Sequence, residues 1–205
     1  TNKLAGNQFT DMKWKAGAGS QVVFASSFNK FFRSTDKGDT WTEITSGFNG
    51  LLANGTRIAT SALSPSTVYV GTVFDQGTIF RSTDDGLNFT VQYHNPTWSL
   101  TGYDSTGGGQ GNYNFCIEAN PTNANQLFLG SHNIMRSDDA GVTWQKLTTW
   151  SKIVHTDMHD YLFQPGNSSN LYQANDGGVW LTSTSGATWS PKSDGLGATE
   201  NYTAA

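Results

Sequence analysis

One cysteine, Cys116, stands in 205 residues, so no disulfide can form within the chain. It sits in the apolar-alternating run NYNFCIEA and reads as a small core residue. Charge is scarce as well: 12 Lys and Arg against 16 Asp and Glu give a net charge of −4. The cations are scattered and form no basic patch, which argues against a nucleic-acid partner. There is no run of about 18 apolar residues, so no membrane insertion is expected. Strong helix formers never recur at a 3.6-residue period, which excludes a helical bundle. No signal-peptide pattern follows Thr1, so a secreted protein would be seen here in mature or trimmed form. No cofactor is expected.

What the chain does have is glycine, 23 copies, and aromatics at 13%. That mixture suits many short strands joined by tight turns, with aromatic residues supplying much of the core. The strands are repeated. RSTDKGDTW runs from Arg33 to Trp41, RSTDDGLNF from Arg81 to Phe89, RSDDAGVTW from Arg136 to Trp144, and a worn copy, LTSTSGATW, from Leu181 to Trp189. The spacings Gly38 to Gly86, Gly86 to Gly141 and Gly141 to Gly186 are 48, 55 and 45 residues. Before each copy comes a pair of apolar strands, as in TVYVGT then TIFRS, and after it a short amphipathic one, as in WTEI.

Each unit therefore reads as four antiparallel strands, A to D, at a period of roughly 50 residues, the size of a β-propeller blade. The expected fold is all-β, with blades at about 9–45, 57–93, 112–149 and 154–191 and the first strand of a further blade at 198–205. The repeated segment falls at the C–D turn. There Asp36, Asp84 and Asp139 accept hydrogen bonds from turn amides. Ser34, Ser82 and Ser137 add a hydroxyl, and Gly38, Gly86 and Gly141 supply a backbone angle that other residues resist. Trp41, Phe89, Trp144 and Trp189 open strand D and plug the gap beside the turn.

These residues match S-x-D-x-G-x-T-W and resemble the Asp-box, or BNR, repeat of sialidases, sortilin-type receptors and oligoxyloglucan-cleaving propeller hydrolases. The resemblance covers nearly the whole chain. It implies a propeller whose boxes are structural and face away from the ligand site. The fourth copy carries Thr184 where Asp belongs, which predicts a looser turn. Since such propellers have six or more blades, the four here are expected to form an arc of a larger ring. Its remaining blades would come from the same polypeptide or a second chain. The alternative is a closed four-bladed ring sealed by residues 1–8 and 198–205.

In such a meander the A–B and C–D turns share one face and the B–C and D–A connections the other, so ligand loops belong to the second set. Three segments there stand out. The long D–A connection Tyr93 to Asn114 is rich in glycine and aromatics and reads as a mobile lid or a sugar platform, with Trp98, Tyr103 and Tyr113 able to stack on pyranose rings. VHTDMHDYLFQP, Val154 to Pro165, opens the innermost strand of the fourth blade. Strict alternation places His155, Asp157, His159 and Tyr161 on one side. H-x-D-x-H hints at a metal, but the histidines would stand roughly 13 Å apart along a strand, too far for one ion, and no metal is expected. ANDGGVW, Ala174 to Trp180, is a hairpin signal that also brings Asn175 and Asp176 to the same face.

H-x-D-x-H followed by N-D-G-G-V resembles secreted bacterial Asp-box proteins, and D-x-G-G-x-aromatic is similar to a pattern in oligoxyloglucan-cleaving propellers. The resemblance implies a secreted, carbohydrate-active chain, with Asp157 and Asp176 as catalytic carboxylates and His155, His159, Asn175, Trp98, Tyr103 and Tyr113 as ligand contacts. Asp160, Asp75 and Asp104 are the other acids near this face. A glycoside hydrolase needs two carboxyl groups, about 5–5.5 Å apart for retention or roughly 6.5–9.5 Å for inversion. A sialidase is disfavoured: nothing matches its F/Y-R-I-P signature, and Arg33, Arg81 and Arg136 precede the boxes on the wrong side. The alternative is a non-catalytic module binding glycan or peptide. Sequons occur at Asn54, Asn88, Asn167 and Asn201.

Overall fold

The computed structural model describes residues 6–17, 19–53, 55–103, 110–148 and 154–196. The segment 198–205, Asp104 and the sequons at Asn54 and Asn201 lie outside them. The described strands form four antiparallel sheets, each in simple meander order. Blade 1 holds β1 (Phe9–Trp14), β2 (Val23–Ser27), β3 (Phe31–Ser34) and β4 (Thr42–Ile44). Blade 2 holds β5 (Thr56–Ser61), β6 (Ser64–Thr72), β7 (Thr78–Ser82) and β8 (Thr90–His94). Blade 3 holds β9 (Cys116–Asn120), β10 (Asn123–Gly130), β11 (Ile134–Ser137) and β12 (Gln145–Lys146). Blade 4 holds β13 (Met158–Gln164), β14 (Asn167–Asn175), β15 (Gly178–Thr182) and β16 (Ser190–Pro191). Among the described residues a single 3-10 turn, Phe74–Gln76, interrupts the all-β pattern.

Register explains how the blades stack. Residues directly opposite on adjacent strands share a sheet face. Ile58, Val70 and Phe80 are such a row, and it is buried against Phe24 and Phe31 of blade 1. Tyr69 and Ile79, on the other face of blade 2, join Ile117, Leu127 and Leu129 of blade 3. Phe128 and Ile134 join Met158, Tyr161 and Leu171 of blade 4. Among the described residues there are thus three apolar seams for four blades. Both outer faces stay open. The Met12–Ala25–Phe32 row of blade 1 is the equivalent of Ile58–Val70–Phe80. Yet Met12 is 65% exposed where Ile58 is fully buried. On blade 4 the row Leu162–Tyr172–Leu181 leaves Leu162 at 62%. The molecule is an arc of a larger propeller.

The repeated turn is closed as its composition requires. In the first copy Ser34 Oγ donates to Asp36 Oδ1 at 2.7 Å and accepts from Gly38 N at 2.8 Å. Asp36 also accepts from Thr40 N at 2.8 Å and Thr40 Oγ1 at 2.6 Å, and Trp41 Nε1 donates to Gly38 O. The second and third copies repeat the Ser and Asp bonds, with the Asn88 side chain replacing the threonine hydroxyl in the second; Trp144 repeats the ring N–H bond, which Phe89 cannot make. The hydrogen bond from Thr40 leads those that hold Asp36 down to about 2, and the Asn88 amide does the same for Asp84, also to about 2. Two successive left-handed residues make the corner: Lys37 before Gly38, Asp85 before Gly86, Ala140 before Gly141 and Ser185 before Gly186. In the fourth copy Thr184 Oγ1 accepts from Thr188 N at 2.9 Å, so the turn keeps its shape with a neutral acceptor in place of a carboxylate.

The turns also join blades. Arg33 Nε donates to Asp85 O at 2.8 Å, and Arg136 Nη1 to Ser185 O at 2.7 Å, so each arginine reaches the corner of the next blade. At the hub, Lys13 of β1 pairs with Glu118 of β9 at 3.0 Å. Burial raises the Glu118 carboxyl to about 7 in spite of that lysine, with Asp160 and Asp11 adding to the rise.

Two tests follow from this architecture. Asp139→Ala strips the turn of its acceptors and should cost on the order of 1 kcal/mol of stability, seen as a lower melting temperature, with ligand affinity unchanged. Because Glu118 binds its proton more tightly folded than unfolded, its contribution is full below about 4.5 and lost as pH rises through about 7. Melting temperatures of wild type should therefore fall more steeply over that window than those of Glu118→Gln; equal slopes would contradict the assignment.

Candidate functional site

The face opposite the box turns carries the B–C turns and D–A connections. Its chemistry collects where blades 3 and 4 meet. The B–C turn of blade 3 is Ser131-His132-Asn133, three buried polar residues. Ser131 Oγ lies 2.9 Å from Thr101 O, His132 Nδ1 3.3 Å from the same carbonyl, and Asn133 Nδ2 donates to Gly102 O and Tyr103 O. Three side chains of one tight turn thus read three successive carbonyls of the long connection. Gln76 O grips it from the other side, accepting from Leu100 N at 2.7 Å. Residues 99–103 are pinned between two blades rather than forming a free lid.

Trp98 departs from the platform expected of it. It packs against the core between blades 2 and 3, edge-on to Tyr93. Tyr103 and Tyr113 are the aromatics that reach the surface, at 40% and 67% exposure. Each stands over a histidine: Tyr103 on His132 with centroids 3.8 Å apart, Tyr113 edge-on to His159 at 5.5 Å.

The alternation expected of residues 155–161 breaks for a physical reason. β13 begins only at Met158. Asp157 is left-handed at φ 63°, and a bulge separates Met158 from Asp160. One added residue moves every later side chain to the other face. Tyr161 is therefore buried in the blade 3–4 seam, whereas His159 is exposed. Asp157 turns inward, accepting from Asn114 Nδ2 and lying 3.3 Å from His132 Nε2. Asp176 lies on the outside, 2.6 Å from His159 Nε2. Each candidate acid is thus tied to its own imidazole. His155 is exposed, with its ring packed across Gly177, where any Cβ would collide with it. Asn175 is buried; its amide nitrogen donates to His155 O and Gln173 Oε1, and its oxygen accepts from Gly177 N, which shapes the hairpin.

His132, Asn114, Ser131 and Asn133 were not among the residues singled out by sequence. One signal was there: GSHNIM places polar residues, not a Gly-based pair, at a B–C turn of the ligand face. Among the described residues no group of three His, Cys, Asp or Glu is arranged to hold a metal ion.

No protein-family model matches the chain, and no curated protein resembles it closely enough to count. Solved structures do match. The GH74 xyloglucanase from Xanthomonas campestris superposes with a TM-score of 0.66 at 17% identity, over 91% of this chain and 30% of that one. An ancestral GH74 enzyme gives 0.61 at 18%, over 94% and 25%. YCF48 from Cyanidioschyzon merolae gives 0.61 at 13%, over 90% and 56%. The fold is a propeller. The chain spans less than a third of the two GH74 structures.

The buried His132 supports both Asp157 and the pinned loop. His132→Ala should cost about 3 kcal/mol and speed hydrogen exchange at the Leu100 amide. An unchanged exchange rate there would remove the clamp from the account.

Proposed function

We propose that this chain is the carbohydrate-recognising part of a secreted Asp-box propeller of glycoside hydrolase type, with remaining blades supplied by the same polypeptide or a second chain. The reading rests on one arrangement: an open tyrosine, Tyr113, set against His159, which is hydrogen-bonded to Asp176. An aromatic plane for the C–H face of a pyranose beside a fixed carboxylate for its hydroxyls is the chemistry that sugars call for. The four S-x-D-x-G-x-T-W-like turns, all on the opposite rim, agree with it, as does the likeness in fold to GH74 enzymes.

The roles of the two acids differ. Asp157, held by Asn114 and flanked by the buried His132, is a positioning residue. Asp176 is the candidate acid or base, with His159 to take or return its proton. Since hydrolysis needs a second carboxyl across the bond, that partner comes from the remaining blades. The second reading, a non-catalytic glycan- or peptide-binding module, is favoured by the same fact, because both acids here are already paired.

Calorimetry of the 205-residue chain with a xyloglucan oligosaccharide tests this. Binding without cleavage is expected, weakened roughly tenfold by Tyr113→Ala or Asp176→Asn. No binding by the wild-type chain, or equal binding by both variants, would refute it.

A further inference from the structure

The two ends of the arc leave opposite halves of one seam uncovered, and the three seams already made show what fits there. Each seam has a fixed polarity. A blade offers its successor a row centred on an aromatic residue: Phe24 in blade 1, Tyr69 in blade 2 and Phe128 in blade 3. All three are fully buried. Register puts Tyr172 in that position on blade 4, between Leu162 and Leu181. Val179 stands where the earlier blades have the buried Phe31, Ile79 and Ile134. On blade 4 this surface is open: Leu162 is exposed, and Tyr172, Val179 and Leu181 are half-buried.

The receiving face has its own fixed position. Ile58, Ile117 and Tyr161 fill it on the innermost strands of blades 2, 3 and 4, and all are buried. On blade 1 it holds the exposed Met12. Trp14, two residues on and on the same face, is 54% exposed. Two further groups of blade 1 lack what a preceding blade brings elsewhere. Among the described residues, Trp41 joins none of the seams that Phe89, Trp144 and Trp189 enter. In blades 2 to 4 the side chain at the end of the second strand holds a carbonyl of the connection arriving from the blade before. Thr72 donates to Ala53 O at 2.7 Å, Ser131 to Thr101 O at 2.9 Å and Asn175 to His155 O at 3.1 Å. Ser27 stands there in blade 1, buried, and its hydroxyl has no partner among the described residues. An unpaired buried hydroxyl costs free energy, which a neighbouring chain would relieve.

We infer that a second copy of this chain covers blade 1 with its own blade 4, so that β13 of one copy lies beside β1 of the next. A second copy fits because it offers the face that blades 2, 3 and 4 each receive, in the same order, together with the chain that leaves its last blade. The missing arginine of blade 4 is no obstacle. In the seam between blades 2 and 3, Arg81 lies over the Tyr69 ring with its Nε unbonded, and that seam closes. The inference rests on the reading of this chain as part of a larger propeller and names the second chain as another copy. Such a contact joins unlike faces, and it closes into a ring or runs on as a filament according to the rotation between copies.

Sedimentation of the 205-residue chain without carbohydrate tests this. The wild type should form dimers or larger species at about 100 µM, within reach of an interface of ordinary size. Met12→Glu and Leu162→Glu change exposed side chains, and each should weaken association by about tenfold or more. An equimolar mixture of the two variants should form a 1:1 dimer, because one keeps an intact blade 4 and the other an intact blade 1. A monomeric wild type overturns the inference. So do variants that associate like wild type, or a mixture that stays monomeric while the wild type associates. Should a variant melt, dilution of the wild type decides: the Met12 methyl, Trp14 indole and Leu162 methyl signals should move together, and movement on one face alone refutes the contact. A monomer that still binds the oligosaccharide leaves the proposed function standing. A chain that assembles and does not bind loses that function and keeps the seam.

Discussion

Everything in this molecule depends on how one four-stranded sheet covers the face of the next. A sheet this small has two faces and too little chain to bury either alone. The solution is a seam of large side chains, and the aromatic residues of the second, third and fourth box turns belong to it. Phe89 packs into the seam between blades 1 and 2, Trp144 into that between 2 and 3, and Trp189 into that between 3 and 4. Each of these three aromatics thus seals the joint with the blade before it. The arginine that opens the first and third copies reaches the corner of the blade after it. In the third copy Trp144 and Arg136 together tie three blades with one nine-residue stretch, and its residues are spent on structure.

That constraint explains where freedom remains. With C–D corners fixed by carboxylates and left-handed residues, the opposite rim can lengthen and diversify without disturbing the seams. The long connection between blades 2 and 3 shows how. It does not float: backbone carbonyls at Thr101, Gly102 and Tyr103 are satisfied by the side chains of Ser131, His132 and Asn133. Buried loop carbonyls must find donors, and here a neighbouring blade supplies them. Residues 101–103 are thus held by blade 3, and Tyr103 with them.

Most of the fold was legible in the sequence because its signal is periodic. Glycine spacing and alternating apolar strands point to four four-stranded blades, and the described strands form four such sheets. The site was legible only in part. His159, singled out from H-x-D-x-H, and Asp176, from the hairpin signal, are brought within hydrogen-bond distance of each other. The face of His159 relative to Tyr161 was misjudged, since a bulge after Met158 cannot be read from alternation. Trp98 looked like a platform because a tryptophan in a glycine-rich loop carries no mark of burial. His132 and Asn114 were missed because their importance arises from contact with residues 25 to 43 positions away, and no local pattern encodes that. The left-handed residue before each box glycine was also invisible: Lys37, Asp85, Ala140 and Ser185 share no side-chain chemistry.

The fourth blade departs from the rule in a consistent way. Its motif has Leu181 in place of the bridging arginine and Thr184 in place of the carboxylate. The threonine still closes the turn, so the blade keeps its own shape. The leucine cannot donate to a following corner, and it extends the row that begins with Leu162 and Tyr172. In blades 1 and 3 the same row ends in charge, Lys13 and Arg33 or Glu118 and Arg136. A face with leucine at both ends is suited to apolar cover along its whole width. Whatever lies against blade 4 must therefore match it by shape and apolar area, without the arginine-to-carbonyl bond that joins blade 1 to blade 2 and blade 3 to blade 4.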